Sequence, residues 1–287
     1  MKVRFKKYTL NFKRPSGTSR GVMTTKETWF VILESKGKIG IGECGILRGL
    51  SIDDRPDYEK TLQWACENYS LGLDRLYDEL RGFPSIQFGL EQAFKSLKAD
   101  HPFVLFPSDF INKERPIPIN GLIWMGDEKF MHEQLEQKLK DGFSCIKMKI
   151  GAIDFKSELA ILSSIRKRYS KTDIELRVDA NGAFAPDEAL DKLKRLAAYD
   201  LHSIEQPIQS GQADEMAALC RVNRIPIALD EELIGILDIE SKKKLIKTIK
   251  PQYIILKPSL IGGFTGALEW IKVAEEHNVN WWVTSAL

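Results

Sequence analysis

Cysteine is scarce in this sequence: Cys44, Cys66, Cys145 and Cys220 are the only four among 287 residues, and they lie far apart. They form no CxxC pair and three sit inside apolar segments, a pattern of buried free thiols in a reducing cytoplasm rather than of a disulfide framework. Long apolar runs are missing too; none approaches the roughly 18 residues that a bilayer crossing needs. The start, Met1–Lys7, is basic but alternating, with no apolar block or small-residue cleavage site, so no signal peptide is expected. Nor is there an excess of one charge. Lys+Arg 42 against Asp+Glu 40 leaves a net +2, too balanced for nucleic acid or a membrane surface as the main partner. What is present is a globular composition, 43% hydrophobic and 29% charged, able to bury a sizeable core. The length suits an α/β barrel with a smaller attachment.

Residues 1–100 read as a separate α+β unit. Val3, Phe5, Tyr8, Leu10 and Phe12 sketch an alternating strand, Glu27–Glu34 a second and Ile39–Glu43 a third, with Ser35–Lys38 as a tight turn. That order predicts an antiparallel three-stranded meander. Pro15–Met23 between the first two strands is polar and Gly-rich and is expected to be a functional loop. Helical spacing follows over Asp57–Tyr69, Leu73–Leu80 and Ile86–Lys98. Ala99–Pro116 carries three prolines and little periodicity, which places the boundary of a second unit, 101–287, there.

Beyond Pro116, short β-branched runs alternate with amphipathic helical runs. The expected strands are Ile117–Leu122, Ser144–Ile150, Ile174–Asp179, Ser203–Gln206, Pro226–Asp230, Tyr253–Lys257 and Trp281–Thr284. The expected helices between them include Asp127–Leu139, Asp154–Arg168, Pro186–Ala198, Ala213–Val222, Asp238–Ile249 and Gly266–His277. A strand–helix repeat gives parallel strands with crossover helices, and its even spacing favours a modified TIM-type (β/α) barrel over a doubly wound sheet. Seven barrel strands are legible where a barrel of eight needs another, so the sequence reads as cut short after strand seven.

Catalytic groups of such barrels sit at the C-terminal ends of strands. Those positions read Lys147-Met-Lys149, Arg177-Val-Asp179-Ala-Asn181, Glu205-Gln-Pro, Asp230-Glu231 and Lys257-Pro. The steps from Asp179 to Glu205, Asp230 and Lys257 are 26, 25 and 27 residues, a period that solvated surface charges have no reason to keep. Asp179, Glu205 and Asp230 would converge at the barrel mouth, where mutual repulsion calls for a divalent cation. All-oxygen donors without Cys or His favour Mg2+, with Mn2+ as a substitute. The competing reading pairs these acids with Lys and Arg on a solvated rim. Lys147 and Lys149 share one strand face, and Lys257 approaches from across the mouth. Lysine, with an ordinary pKa of about 10.4, is driven toward its neutral form by desolvation and neighbouring cations, and becomes a base for a carbon-bound proton. For Lys147 a simple pairing with an acid is the alternative.

This ordered set, behind an N-terminal α+β unit, resembles the enolase superfamily, in the branch of muconate-lactonising enzymes, dipeptide epimerases and o-succinylbenzoate synthases. The resemblance implies a shared half-reaction. Mg2+ binds a small carboxylate substrate, a lysine removes the α-proton, and the enediolate is held by the metal and nearby cations. It also implies roles: Asp179, Glu205 and Asp230 as metal ligands, Lys149 as the base and Lys257 as the opposing lysine. Lys147, Asn181 and Glu231 become supporting groups, and Ser285 at the end of the last strand is a further candidate.

Three features are similar to the synthases of this branch: Arg177 two residues before Asp179, the loop from Gly17 through Arg20 to Met23, and the segment Gly42–Ser51. The implied reaction is the dehydration of 2-succinyl-6-hydroxy-2,4-cyclohexadiene-1-carboxylate to 2-succinylbenzoate in menaquinone synthesis, with Lys149 working on one face and Lys257 a cation near the ring. The nearer alternative is an N-acyl amino acid racemase or dipeptide epimerase using both lysines. The distant ones are a non-catalytic binding module and a Schiff-base aldolase, the latter opposed by the three acids.

Overall fold

The structure is a computed structural model and describes residues 1–18, 21–124, 126–222 and 224–286. At the N-terminus, β1 (Lys2–Thr18), β2 (Gly21–Ser35) and β3 (Lys38–Gly45) form an antiparallel sheet in the order β1-β2-β3. Lys36 and Gly37 both take positive φ, 49° and 78°, the turn geometry whose twist matches a two-residue hairpin. The meander is as the alternation predicts, but the Pro15–Met23 loop is not. Backbone pairing continues to Thr18↔Gly21 after a register shift between Asn11 and Ser16, so the segment extends the hairpin. Arg20 lies outside the described residues.

Three helices follow, α1 (Tyr58–Glu67), α2 (Leu73–Glu79) and α3 (Pro84–Lys98); α1 and α3 pack on this sheet and α2 packs on α3. The Ile-Gly-Ile-Gly run of β3 lets α3 lie directly on the strand: a Cβ on Gly42 would collide with the Gly89 carbonyl, and one on Gly89 with the Cys44 thiol. Trp29, Leu33, Leu62, Ile86 and Leu90 fill a core of their own.

The second unit alternates strand and helix: β4 (Gly121–Ile123), α4 (Glu128–Lys140), β5 (Cys145–Lys149), α5 (Phe155–Arg168), β6 (Glu175–Asp179), α6 (Pro186–Leu196), β7 (Ser203–Glu205), α7 (Ala213–Val222), β8 (Ile227–Leu229), α8 (Ile239–Ile249), β9 (Tyr253–Leu256), α9 (Pro258–Ile261), α10 (Gly263–Glu276) and β10 (Asn280–Val283). The seven strands form one parallel sheet in sequence order, with β4 and β10 at its edges among the described residues. Asp127, Asp154 and Asp238 accept backbone N–H bonds at the starts of α4, α5 and α8, which explains why those boundaries were legible. One expected strand is displaced. Ile117–Leu122 is not a strand; pairing is confined to Gly121–Ile123, and Ile117 and Ile119 stand 55% and 71% exposed. Pro116 and Pro118 withhold the N–H donors that a strand needs. The short helix α9 was not anticipated.

Ile146, Met148, Leu176, Val178 and Ile204 are fully buried between sheet and helices, each contributing about 1.5–3 kcal/mol by burial. The two units are clamped together at the turn after α9. Glu91 on α3 accepts hydrogen bonds from the Phe264 and Thr265 N–H groups and from the Thr265 hydroxyl, and Tyr77 donates to the Gly262 carbonyl at 2.8 Å. Gly262 and Gly263 have φ of 93° and 70°, and side chains of the first unit crowd both. All four cysteines are free, and Cys145 is the one not buried. Among the described residues no helix is long and apolar enough to cross a membrane.

Candidate active site

Strand alternation sends Ile146 and Met148 into the helix-covered layer and leaves Lys147 and Lys149 on the other face. The ladder then sets the register: Lys149 pairs with Asp179, and Asp179 with Glu205. Three ionisable groups thus stand in a row across the ends of β5, β6 and β7. Asp230 follows β8 by one residue and Lys257 follows β9 by one, which carries the row onward.

The carboxylates of Asp179, Glu205 and Asp230 are almost completely enclosed, at 1%, 2% and 2% exposure. Lysines partner them. Lys147 Nζ lies 3.1 Å from Asp179 Oδ2 and 2.7 Å from Glu205 Oε2, bridging the two acids. Lys149 Nζ donates to Asp179 Oδ2 at 3.2 Å and to Asn181 Oδ1 at 2.6 Å. Lys257 pairs with Asp230 Oδ2 and sits 4.0 Å from Glu205 Oε1. Asn181, at φ 44°, returns its own N–H to Asp179 Oδ1 at 3.1 Å and donates from Nδ2 to Glu231 Oε1 at 3.0 Å.

Charges packed this closely move one another's proton affinities. Burial pushes Glu205 up to about 8, and the carboxylates of Asp179 and Asp230 push it the same way against the pull of Lys147. Burial also raises Asp230, opposed by Lys257. For Asp179 burial acts upward, but Lys147, Lys149 and Lys257 together hold it well below the usual carboxylate range. Burial works to lower Lys147 and Lys257, and the surrounding carboxylates override it, keeping both as cations.

Among the described residues no three acidic, imidazole or thiol groups stand together as a ready-made metal cage. Lysine ammoniums are interposed: Lys147 bridges two of the acids and Lys257 takes the third. One observation nevertheless suits a dication: Glu205 Oε1 is buried with no hydrogen-bond partner. With carboxylate oxygens as the only donors, the site suits a hard ion.

The other candidates fall as follows. Arg177 lies on the face of Asp179 one step back along β6, paired with Glu175 at 2.6 Å and stacked 4.4 Å over the Trp282 ring. Glu231 carries a second buried oxygen, Oε2, without a partner. Ser285 is exposed just past β10. Gln206, the neighbour of Glu205 in the Glu-Gln-Pro motif, is fully buried among the strand ends. Its signal was adjacency to Glu205.

A parallel βα sheet carrying acids and lysines at its strand ends, behind an antiparallel capping sheet, defines a modified-barrel enzyme of enolase type. The chain belongs to that family: the "Enolase C-terminal domain-like" family matches residues 131–287. The o-succinylbenzoate synthase of Desulfotalea psychrophila is 44% identical over 318 residues, an alignment spanning 100% of this chain and 86% of that protein. The crystal structure of MenC from Desulfotalea psychrophila superposes with a TM-score of 0.87 at 40% identity, covering 100% of this chain and 86% of that one. A dipeptide epimerase from Cytophaga hutchinsonii, complexed with Mg and the dipeptide D-Ala-L-Val, shares the fold at a TM-score of 0.84 and 23% identity, over 99% of this chain and 79% of that one.

Proposed function

We propose that this chain, with residues 1–100 as its cap, is an o-succinylbenzoate synthase: it dehydrates 2-succinyl-6-hydroxy-2,4-cyclohexadiene-1-carboxylate to 2-succinylbenzoate, a step of menaquinone synthesis. The observation that carries this reading is the 44% identity to such a synthase across the whole chain. Epimerases of the same family match at lower identity, 26% for the hydrophobic dipeptide epimerase of a Flavobacteria bacterium.

Asp179, Glu205 and Asp230 would hold Mg2+, or Mn2+ in its place, and the bound ion would bind the substrate carboxylate and acidify the adjacent C–H. Lys149 takes that proton onto Nζ. The electron pair left behind moves into the ring, the C–O bond to the hydroxyl breaks, and Lys149 hands the proton to the departing oxygen, so that water leaves and an arene remains. Asn181 orients Lys149, because the same amide that accepts from Nζ is fixed on its other side by Glu231. Lys257 keeps its charge and stabilises negative charge growing on the substrate. Lys147, bridging Asp179 and Glu205, offsets the repulsion between these two acids.

The reading is tested by following the ultraviolet absorbance of the new arene with and without EDTA. Turnover that EDTA stops and added Mg2+ restores is the expected result. A Mg2+-loaded protein that forms no arene, yet washes solvent deuterium into both stereoisomers of an acylamino acid, would replace the synthase with the epimerase.

A further inference from the structure

Gln206 occupies a conformation that a side chain normally avoids. Its φ is 39°, in the left-handed region that disfavours residues with a Cβ. It is fully buried, and its amide accounts for both facts. Oε1 accepts from the Asp230 N–H at 3.1 Å and the Glu232 N–H at 3.4 Å. Nε2 donates to the Ile208 carbonyl at 3.0 Å and to Glu232 Oε2 at 3.1 Å. The backbone is equally committed: its N–H donates to the Ala228 carbonyl at 2.9 Å, and its carbonyl accepts from the Gly182 N–H at 2.7 Å. Glu232 is braced in turn, its Oε1 accepting from the Gly211 N–H at 3.0 Å.

The position of these bonds matters more than their number. The pairing of β7 with β8 ends at Glu205↔Ala228, short of Asp230. The Gln206 side chain supplies the next rung by taking the Asp230 N–H that the strand no longer reaches. One residue therefore carries Glu205 as its covalent neighbour and Asp230 as its hydrogen-bonded partner. A carboxyamide has two donors and two acceptor lone pairs, and all are used.

We infer that Gln206 is a positioning residue that locks the carboxylates of Glu205 and Asp230 in a fixed relation and so presents them together to a divalent cation. The inference rests on reading those two acids as metal ligands. Gln206→Gly separates the amide from the backbone, because glycine adopts positive φ without penalty. Gln206→Glu keeps an acceptor for the Asp230 N–H but sets a carboxylate against Glu232, and adding Glu232→Gln restores a donor between them at unchanged charge.

The test is titration of Mn2+ alone, read from the spin-resonance signal of the free ion, with folding monitored by circular dichroism. Gln206→Gly and Gln206→Glu each lose at least about tenfold in Mn2+ affinity, as expected for removing a group that orients a ligand. The Gln206→Glu/Glu232→Gln pair recovers most of the loss. A folded Gln206→Gly protein within about twofold of wild type overturns the inference, as does a double variant no better than Gln206→Glu. Should the glycine variant fail to fold, the exchanged pair decides. A wild-type protein that takes up no Mn2+ overturns the ligand assignment itself, and the inference with it.

Discussion

Uptake of Mg2+ by the metal-free protein should release a proton, and Glu205 sets the pH at which it does so. Its carboxyl is pushed up to about 8 from 4.5, by burial first and by Asp179 next. At pH 7 about one Glu205 in ten is therefore ionised, whereas a metal ligand must be ionised. Binding at that pH displaces close to one proton and costs about 1.4 kcal/mol relative to the alkaline plateau. The Mg2+ association constant should rise about tenfold per pH unit below pH 8 and level off above it. Titration calorimetry in buffers of different ionisation enthalpy measures both the affinity and the proton count. The sign carries over to stability. A carboxyl whose pKa is raised by folding supports the fold fully below about pH 4.5, and that support is lost as pH rises through about 8. The metal-free protein should thus lose melting temperature over this window and regain it on adding Mg2+. An affinity independent of pH between about 6 and 9, with no proton released, would refute the reasoning.

Two further outcomes follow from the same structure. Lys149→Ala should reduce turnover by at least about a thousandfold while Mg2+ binding persists, since the three carboxylates remain; single-turnover arene formation beside a calorimetric Mg2+ titration checks this. Glu91→Ala removes the acceptor for two N–H groups and a hydroxyl at the start of α10 and should destabilise the protein by about 2 kcal/mol, read as a shift of the urea midpoint.

The strand ends were legible in the sequence because ionisable residues interrupt apolar runs there at a steady interval, and because Asp127, Asp154 and Asp238 mark helix starts chemically. Ile117–Leu122 was misread because alternating apolar residues look like a strand even when Pro116 and Pro118 empty it of donors. The Pro15–Met23 segment reads as a loop from its polar, Gly-rich composition, yet backbone pairing carries the hairpin onward to Thr18↔Gly21. Within the site, the residue types and their order could be read from spacing. Who pairs with whom could not. That Lys147 bridges two acids, that Asn181 links Lys149 to Glu231, and that Gln206 reaches Asp230 across 24 residues all depend on strand register, which one-dimensional spacing does not encode.

The row formed by Lys149, Asp179 and Glu205 also bears on how the chain avoids misassembly. Side chains alternate between the two faces of each strand, so a slip of one residue in β5 would drive Lys147 and Lys149 among the helices and expel Ile146 and Met148. Such a mispaired sheet would bury two ammonium groups among hydrocarbon side chains, away from Asp179 and Glu205. The chemistry-bearing side chains thereby double as proofreading marks, penalising threading errors before any substrate is met.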